Sequence, residues 1–378
     1  MIKPDIRDFT RQELAGAMIA MGEKGSRADK IFNCLYRKGA GGFEAMSCFT
    51  DEFRAKLAER YSLAPLPCVE KLVSKIDGTI KLVFRFRSAS LNDSYAGPGS
   101  FEAPGAKENR SAPLSNSYAG PVVAESVLMF NKETVTACLS SQSGCACGCG
   151  FCATGALGLT RDLKPSEIIG QFAACAGPEG RAPDRLVFMG MGEPFLNWAN
   201  VKKSILILSD NKGCNFPQQK ITVSTVGVVP VIRELADSRL GVRLAVSVIT
   251  ADEKQRAELT PMEKKYPLRE IIAAARYYCS KTGKSVFFEY IFFDGLNDSP
   301  QDAQKFIDLI KGVECKVNLI MYNPGPAGKA GLTPGRMEKA KEFQKIMMAA
   351  GIRTHLRRER GSDICAACGQ LGSRAGTP

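Results

Sequence analysis

Histidine is all but missing from this chain: His355 stands alone among 378 residues. That scarcity argues against Ser-His-Asp triads and multi-histidine metal sites, and it moves any catalytic burden onto cysteine and carboxylate. Acid is also in deficit, with 39 Asp and Glu against 51 Lys and Arg and a formal charge of +12. Basic side chains that displace counterions from phosphates give sequence-independent affinity for nucleic acid, although charge alone does not separate such a face from a solvated one. No uncharged apolar run of roughly 18 residues occurs, so no membrane span is expected. The opening MIKPDIRDFTRQEL is charged and lacks the apolar middle of a secretion signal. A cytoplasmic protein without membrane contact is the expectation. In that reducing compartment the 14 cysteines do not read as a disulfide framework.

Four of those cysteines, Cys145, Cys147, Cys149 and Cys152, crowd into GCACGCGFC at 144–152. Structural zinc sites usually draw ligand pairs from two separated knuckles, and the other Cys-x-x-Cys pair is the distant Cys365 and Cys368. An iron-sulfur cluster is the second thiolate-preferring option. If Cys145, Cys149 and Cys152 hold three irons of a four-iron cluster, the fourth corner stays open to a ligand.

Three regions separate along the chain. Residues 1–87 open with helical signals, Thr10 with Glu13 and Ser26 with Asp29 at capping-box spacing, and end in SKIDGTIKLVFRFR (74–87), which reads as a hairpin around an Asp-Gly turn. Residues 88–121 contain LNDSYAGP and its near copy LSNSYAGP in a Ser, Asn, Gly and Pro-rich background, and are expected to be a disordered insertion. From 122 to 378, apolar runs such as RLVFMGMG, KITVSTVG, VRLAVSVI, SVFFEYIFF and KVNLIMYN alternate with helical patterns such as SEIIGQFAACA and LREIIAAARYYCS. This alternation predicts an α/β fold with a parallel sheet, open or rolled into a barrel, whose site lies at the C-terminal strand ends.

The Cys-x3-Cys-x2-Cys spacing, with Phe151 before the last cysteine, resembles the signature of the radical S-adenosylmethionine (SAM) superfamily. ACLSSQSGCACGCGFCATGALGLTRDLKPSEIIGQ, FMGMGEPFLN, ITVSTVGVVP, ELTPMEKKYPL, LIMYNPGP and GSDICAACGQL follow in the order found in the RlmN/Cfr family of RNA adenosine methyltransferases. The resemblance spans nearly the whole chain, leaving 88–121 unmatched. It implies a partial (β/α) barrel of radical SAM type with a small N-terminal helical domain and β-ribbon. It further implies a 4Fe-4S cluster on Cys145, Cys149 and Cys152, and SAM bound by Gly192, Glu193, Ser224, Ser247, Val248, Ile249 and Asn323. Cys368 matches the methyl-carrying cysteine, Cys138 the resolving cysteine and Glu125 the proton acceptor. In the family's scheme Cys368 is methylated by one SAM. A radical from a second SAM activates that methyl group, which adds to the adenine and leaves an RNA adduct for Cys138 to release.

The chemistry makes sense of the scheme, because adenine C2 is electron-poor and cannot attack a sulfonium methyl as a nucleophile. The implied substrate is large-subunit ribosomal RNA methylated at adenosine C2, with transfer RNA as a second substrate. An electron donor for the cluster and a monomeric state are expected. Methylation at C8, as in the Cfr branch, is the close alternative, followed by a divergent member acting on another RNA and by a non-catalytic RNA-binding metal protein. Cys147 has no counterpart in the pattern, Cys365 stands at a usually acidic position, and Ile249 replaces a usual histidine. Lys71, Lys75, Lys81, Arg85 and Arg87, with Lys264, Lys265, Arg353, Arg357 and Arg358, are the candidate phosphate contacts. An adenine extruded from folded RNA is the expected target.

Overall fold

A computed structural model describes residues 3–86, 122–176, 181–325 and 331–372, so the 88–121 stretch and Arg87 lie outside the described residues. Twelve strands are defined among them. In chain order they are β1 (Cys68–Val73), β2 (Ile80–Phe86), β3 (Val122–Phe130), β4 (Val135–Cys138), β5 (Gln142–Gly144) and β6 (Leu159–Asp162). There follow β7 (Arg185–Phe188), β8 (Ile221–Thr225), β9 (Arg243–Ile249), β10 (Val286–Phe292), β11 (Cys315–Met321) and β12 (Thr354–Leu356). Ten of them form one sheet in the order β1-β2-β3-β4-β7-β8-β9-β10-β11-β12, and β5 pairs with β6 separately. Within the ten-stranded sheet every pairing from β4 to β12 is parallel and those from β1 to β4 are antiparallel, as is the separate β5–β6 pair.

The parallel strands are covered on both faces, and their sequences are correspondingly near-continuous in apolar residues. Phe188, Val223, Leu244, Val246, Phe288 and Leu319 are all buried in one large core. Helices Pro165–Ala176, Trp198–Ser209, Val229–Asp237, Leu268–Thr282, Pro300–Ile310 and Met337–Ala349 alternate with the strands. Their ends follow local chemistry: Ser299 and Asp302 close a capping box, and Gly283 ends its helix at φ +66°, a left-handed conformation that glycine adopts at little cost. The sheet has two edges, β1 and β12, and does not close into a full barrel.

The N-terminal module is helical, with segments Arg11–Ala20, Arg27–Phe32 and Asp51–Arg60. Thr10 and Glu13 form the expected capping box, but Ser26 caps nothing. Its backbone is already helical, and the Asp29 carboxylate meets Arg11 at 2.8 Å instead. The module docks on the helices that follow the sheet strands through Arg11 to Asp210 and through Asp8, which accepts from the Ser166 N–H at 2.8 Å. The ribbon also differs from the sequence expectation. Its first strand precedes Ser74, residues 74–79 form the turn with Gly78 at φ +72°, and β2 pairs along its whole length with β3. The ribbon is thus a continuation of the ten-stranded sheet.

Candidate active site

A cavity of ≈ 190 Å³ opens where β7 to β11 end, lined by residues from all five strands or the loops that follow them. Five neighbouring strands that share one cavity curl around it, as a partial barrel does. Cys145, Cys149 and Cys152 enter from the loop that β5 and β6 pinch together, with Cys147 beside them. Gly192 and Glu193 come from the turn after β7, Ser224 from β8, Ser247 and Ile249 from β9, Asn323 from the end of β11 and Cys368 from the C-terminal segment. Widely separated parts of the chain therefore meet at the C-terminal strand ends, where parallel α/β folds place their sites.

Backbone demands explain several of these positions. Gly192 has φ +96°, and a Cβ there would lie 2.8 Å from the Gln142 backbone nitrogen. Glu193 is buried; its carboxylate accepts from the Val226 N–H at 2.8 Å and the Phe195 N–H at 3.0 Å, tying the turn after β7 to the turn after β8. Burial pushes this carboxyl up to about 7 despite those donors. Ser247 and Val248 alternate across β9, so Ser247 faces the cavity while Val248 packs in the core. The Val248 carbonyl accepts from the buried Arg256. Of the expected SAM set, Val248 thus has no side chain at the cavity. Ile249 reaches it from φ +71°, a strained conformation for a β-branched residue, where the β9–β10 register is irregular.

The two cysteines expected to act as a pair lie near each other. Cys138, at the end of β4, is buried in a small cluster with Met191, Ala366 and Leu371. Burial pushes its thiol well up, the neighbouring Cys368 adds to this, and the Met189 backbone opposes it. Cys368 is open to solvent through the cavity yet deeply surrounded by protein. Burial raises its thiol, the Glu289 carboxylate adds to the effect and the Arg357 guanidinium opposes it. The backbone around Cys368 is fixed by Asn323 Nδ2, which donates to the Cys368 carbonyl at 3.2 Å, and by the Ala153 N–H, which donates to the Gly369 carbonyl at 2.8 Å.

Two expectations change in the structure. Glu125 does not line the cavity; its Oε2 accepts from the Gly372 N–H at 3.1 Å and lies 3.6 Å from Lys81 Nζ. Lys81 is correspondingly unavailable as a phosphate contact, being 1% exposed. Lys75, Arg85, Lys264, Arg353, Arg357 and Arg358 are exposed. Sequence reasoning also passed over Glu289, which lines the cavity, accepts from Asn318 Nδ2 at 2.9 Å and is pushed up to about 7 by burial. The signal was present: a lone carboxylate inside the apolar run FFEYIF of a doubly covered strand needs a reason to be there.

The Radical SAM superfamily profile matches residues 139–309, and that of the ribosomal RNA large subunit methyltransferase N-terminal domain matches residues 4–63. A protein of Thermotoga neapolitana described as a probable dual-specificity RNA methyltransferase RlmN is 36% identical over 367 residues, which cover 97% of each chain. The chain belongs to the RlmN family. The dual-specificity RNA methyltransferase RlmN of Anaeromyxobacter dehalogenans is likewise 36% identical, over 99% of this chain and 93% of its own. A crystal structure of a radical SAM methyltransferase from Sphaerobacter thermophilus superimposes with a TM-score of 0.84 at 38% identity, covering 97% of this chain and 98% of that one. The partial-barrel radical SAM fold expected from the motifs is the fold observed.

RlmN membership implies SAM and a 4Fe-4S cluster. Among the described residues no three His, Cys, Asp or Glu side chains form a ready metal-ion cage. The fit therefore rests on the donor set: the thiols of Cys145, Cys149 and Cys152, with Cys147 among them, line the cavity and are the soft ligands that iron-sulfur clusters take. Cys149 donates to Thr260 Oγ1 at 3.2 Å, and Cys147 hydrogen-bonds Cys145 and holds that thiol below its usual value. Among the described residues no helix is long and apolar enough to cross a membrane.

Proposed function

We propose that this chain is an RNA methyltransferase that places a methyl group on C2 of an adenosine in large-subunit ribosomal RNA, with transfer RNA as its second substrate, acting as a monomer that receives electrons from a separate donor. The supporting observation is convergence: Cys145, Cys149 and Cys152, the SAM-type positions Gly192, Glu193, Ser224, Ser247 and Asn323, and Cys368 all face one cavity, with Cys138 close behind Cys368. The relatives' description as dual-specificity RNA methyltransferases points the same way.

When bound, the cluster on Cys145, Cys149 and Cys152, together with SAM, supplies the methyl group and the one-electron chemistry that an electron-poor ring carbon requires. The protein's own part is placement. Gly192 lets backbone approach the ligand, while Ser224, Ser247 and Asn323 offer polar contacts along three strand ends. Ile249 contributes a backbone and an apolar side chain where the family usually has histidine. Cys368 carries the one-carbon unit to the base, and the Cys138 thiol, once ionised, attacks the Cys368 sulfur; the disulfide forms as the sulfur–methylene bond breaks, its electron pair passing to the base adduct, which takes up a proton to leave the methyl group. Burial raises the Cys138 thiol and keeps it protonated until then, whereas Cys368 has already exchanged its proton for the methyl group. For Glu125, the bond to Gly372 supports a holding role more directly than proton removal from the ring. The exposed Lys75, Arg85, Arg353 and Arg358 are suited to phosphate contacts.

The test is an anaerobic incubation of cluster-reconstituted protein with SAM, reductant and unmethylated ribosomal RNA or transfer RNA, followed by mass spectrometry of the nucleosides. The expected product is 2-methyladenosine from both RNAs, abolished in Cys368→Ala. An 8-methyl product would overturn the regiochemistry, and SAM cleavage without either product would overturn the choice of RNA.

A further inference from the structure

The cavity assigns no role to the best-buried cation of the ribbon. Lys81 lies in the DGTIK stretch that turns β1 into β2, and its side chain is almost wholly removed from water. A lysine is buried in this way only when its charge is met, and the groups that meet it all concern one segment. Its Nζ stands 3.6 Å from Glu125 Oε2 and donates to the Cys365 carbonyl at 3.3 Å. The same Glu125 oxygen accepts from the Gly372 N–H at 3.1 Å. The Lys81–Glu125 pair therefore grips the C-terminal segment at Cys365 and at Gly372, three residues before and four after Cys368.

The rest of the ribbon turn holds the same segment. Ser74 Oγ donates to Asp363 Oδ1 at 2.7 Å, the Lys75 N–H donates to Asp363 Oδ2 at 2.9 Å, and the Gly361 N–H donates to Asp77 Oδ2 at 3.2 Å. Gly361 and Cys365 both adopt left-handed backbone, at φ +61° and φ +50°, so the segment has little regular structure of its own and depends on these outside tethers. Cys365, a non-glycine residue at positive φ, sits directly under the lysine.

We propose that Lys81 is a positioning residue for Cys368: paired with Glu125, it clamps residues 361–372 so that the Cys368 thiol faces the cavity and stays within reach of Cys138. Lys81 touches no reacting atom and acts through the backbone of the segment. The inference deepens the proposed function and rests on its assignment of Cys368 and Cys138.

Full-length protein bearing Lys81→Met or Lys81→Arg, purified without oxygen, tests it with two readouts. Hydrogen exchange measured on peptides covering 361–372 reads the clamp itself. Diamide, which takes two electrons and two protons from a pair of thiols, drives formation of a Cys138–Cys368 disulfide that peptide mapping follows. Lys81→Met is expected to speed exchange in 361–372 and slow the disulfide, each by about tenfold or more, as expected when a buried charged hydrogen bond is lost. Lys81→Arg should restore both. If Lys81→Met does not fold, Glu125→Gln, which keeps an acceptor for Gly372 but removes the ion pair, must still speed exchange in the segment. Wild-type exchange and wild-type disulfide formation in Lys81→Met, with only a lower melting temperature, would overturn the assignment and make Lys81 a sheet-packing residue. If the wild-type chain forms no Cys138–Cys368 bond, the pairing in the proposed function fails, and the exchange contrast between methionine and arginine still decides the clamp.

Discussion

Glu289→Gln should remove a pH dependence that the wild-type protein carries in its core. Glu289 is 6% exposed at the cavity, accepts one hydrogen bond from Asn318 and is pushed by burial from 4.5 up to about 7. A folded-state value above the unfolded one means that the folded protein holds the proton more tightly. Its contribution is therefore fully present below about 4.5 and is lost as pH rises towards 7. At roughly 1.4 kcal/mol per pH unit, the shift is worth about 3 kcal/mol. Glutamine keeps the acceptor for Asn318 and does not titrate, so groups common to both proteins cancel in the comparison. Urea unfolding of the reduced, cluster-free chains across this pH range should show the wild type losing about 3 kcal/mol relative to the variant, with little change at higher pH. A difference that stays constant within about 0.5 kcal/mol would refute the reasoning and mean that the carboxyl is effectively solvated.

Two further perturbations test the frame of the cavity. Arg256 is fully buried, pairs with Glu263, and donates to the Val248 carbonyl at 3.1 Å and the Val226 carbonyl at 2.6 Å, so it braces the ends of β8 and β9 from behind. Arg256→Met leaves Glu263 uncompensated and should cost at least about 3–5 kcal/mol in chemical unfolding; a loss under roughly 1 kcal/mol would contradict the bracing role. Gly192→Ala places a Cβ 2.5 Å from that of Gln142 on a backbone at φ +96°, which must shift the turn carrying Glu193. SAM affinity of the reconstituted enzyme, measured by equilibrium dialysis, should fall at least tenfold, about 1.4 kcal/mol, while unchanged affinity would show that the turn does not shape the ligand site.

Much of the fold was legible because parallel strands covered on both faces must be apolar throughout. Runs such as KITVSTVG and VRLAVSVI became β8 and β9, and the helical pattern LREIIAAARYYCS became the helix Leu268–Thr282. Local signals failed where a tertiary partner outbid them. Ser26 is spaced to cap a helix, but Arg11 claims Asp29. The ribbon's first strand was missed because CVEKLV is exposed and carries two charges, and its pairing comes from β2.

Spacing and residue type in the sequence supplied the thiol cluster at ligand spacing, and the resemblance to the RlmN/Cfr motifs supplied the other candidates: the glycine-containing turn and the two further cysteines in matching contexts. Only the tertiary structure decided which of these side chains face one another. It put Val248 in the core, placed Glu125 and Lys81 as a buried pair against the C-terminal segment, and brought the unremarked Glu289 to the cavity. The physical reason is that a charge in sequence carries no record of what will surround it. Lys81 and Glu125, 44 positions apart, become neighbours only through the antiparallel pairing of β2 with β3, and Gly372, 247 positions beyond Glu125, meets them only in the folded chain.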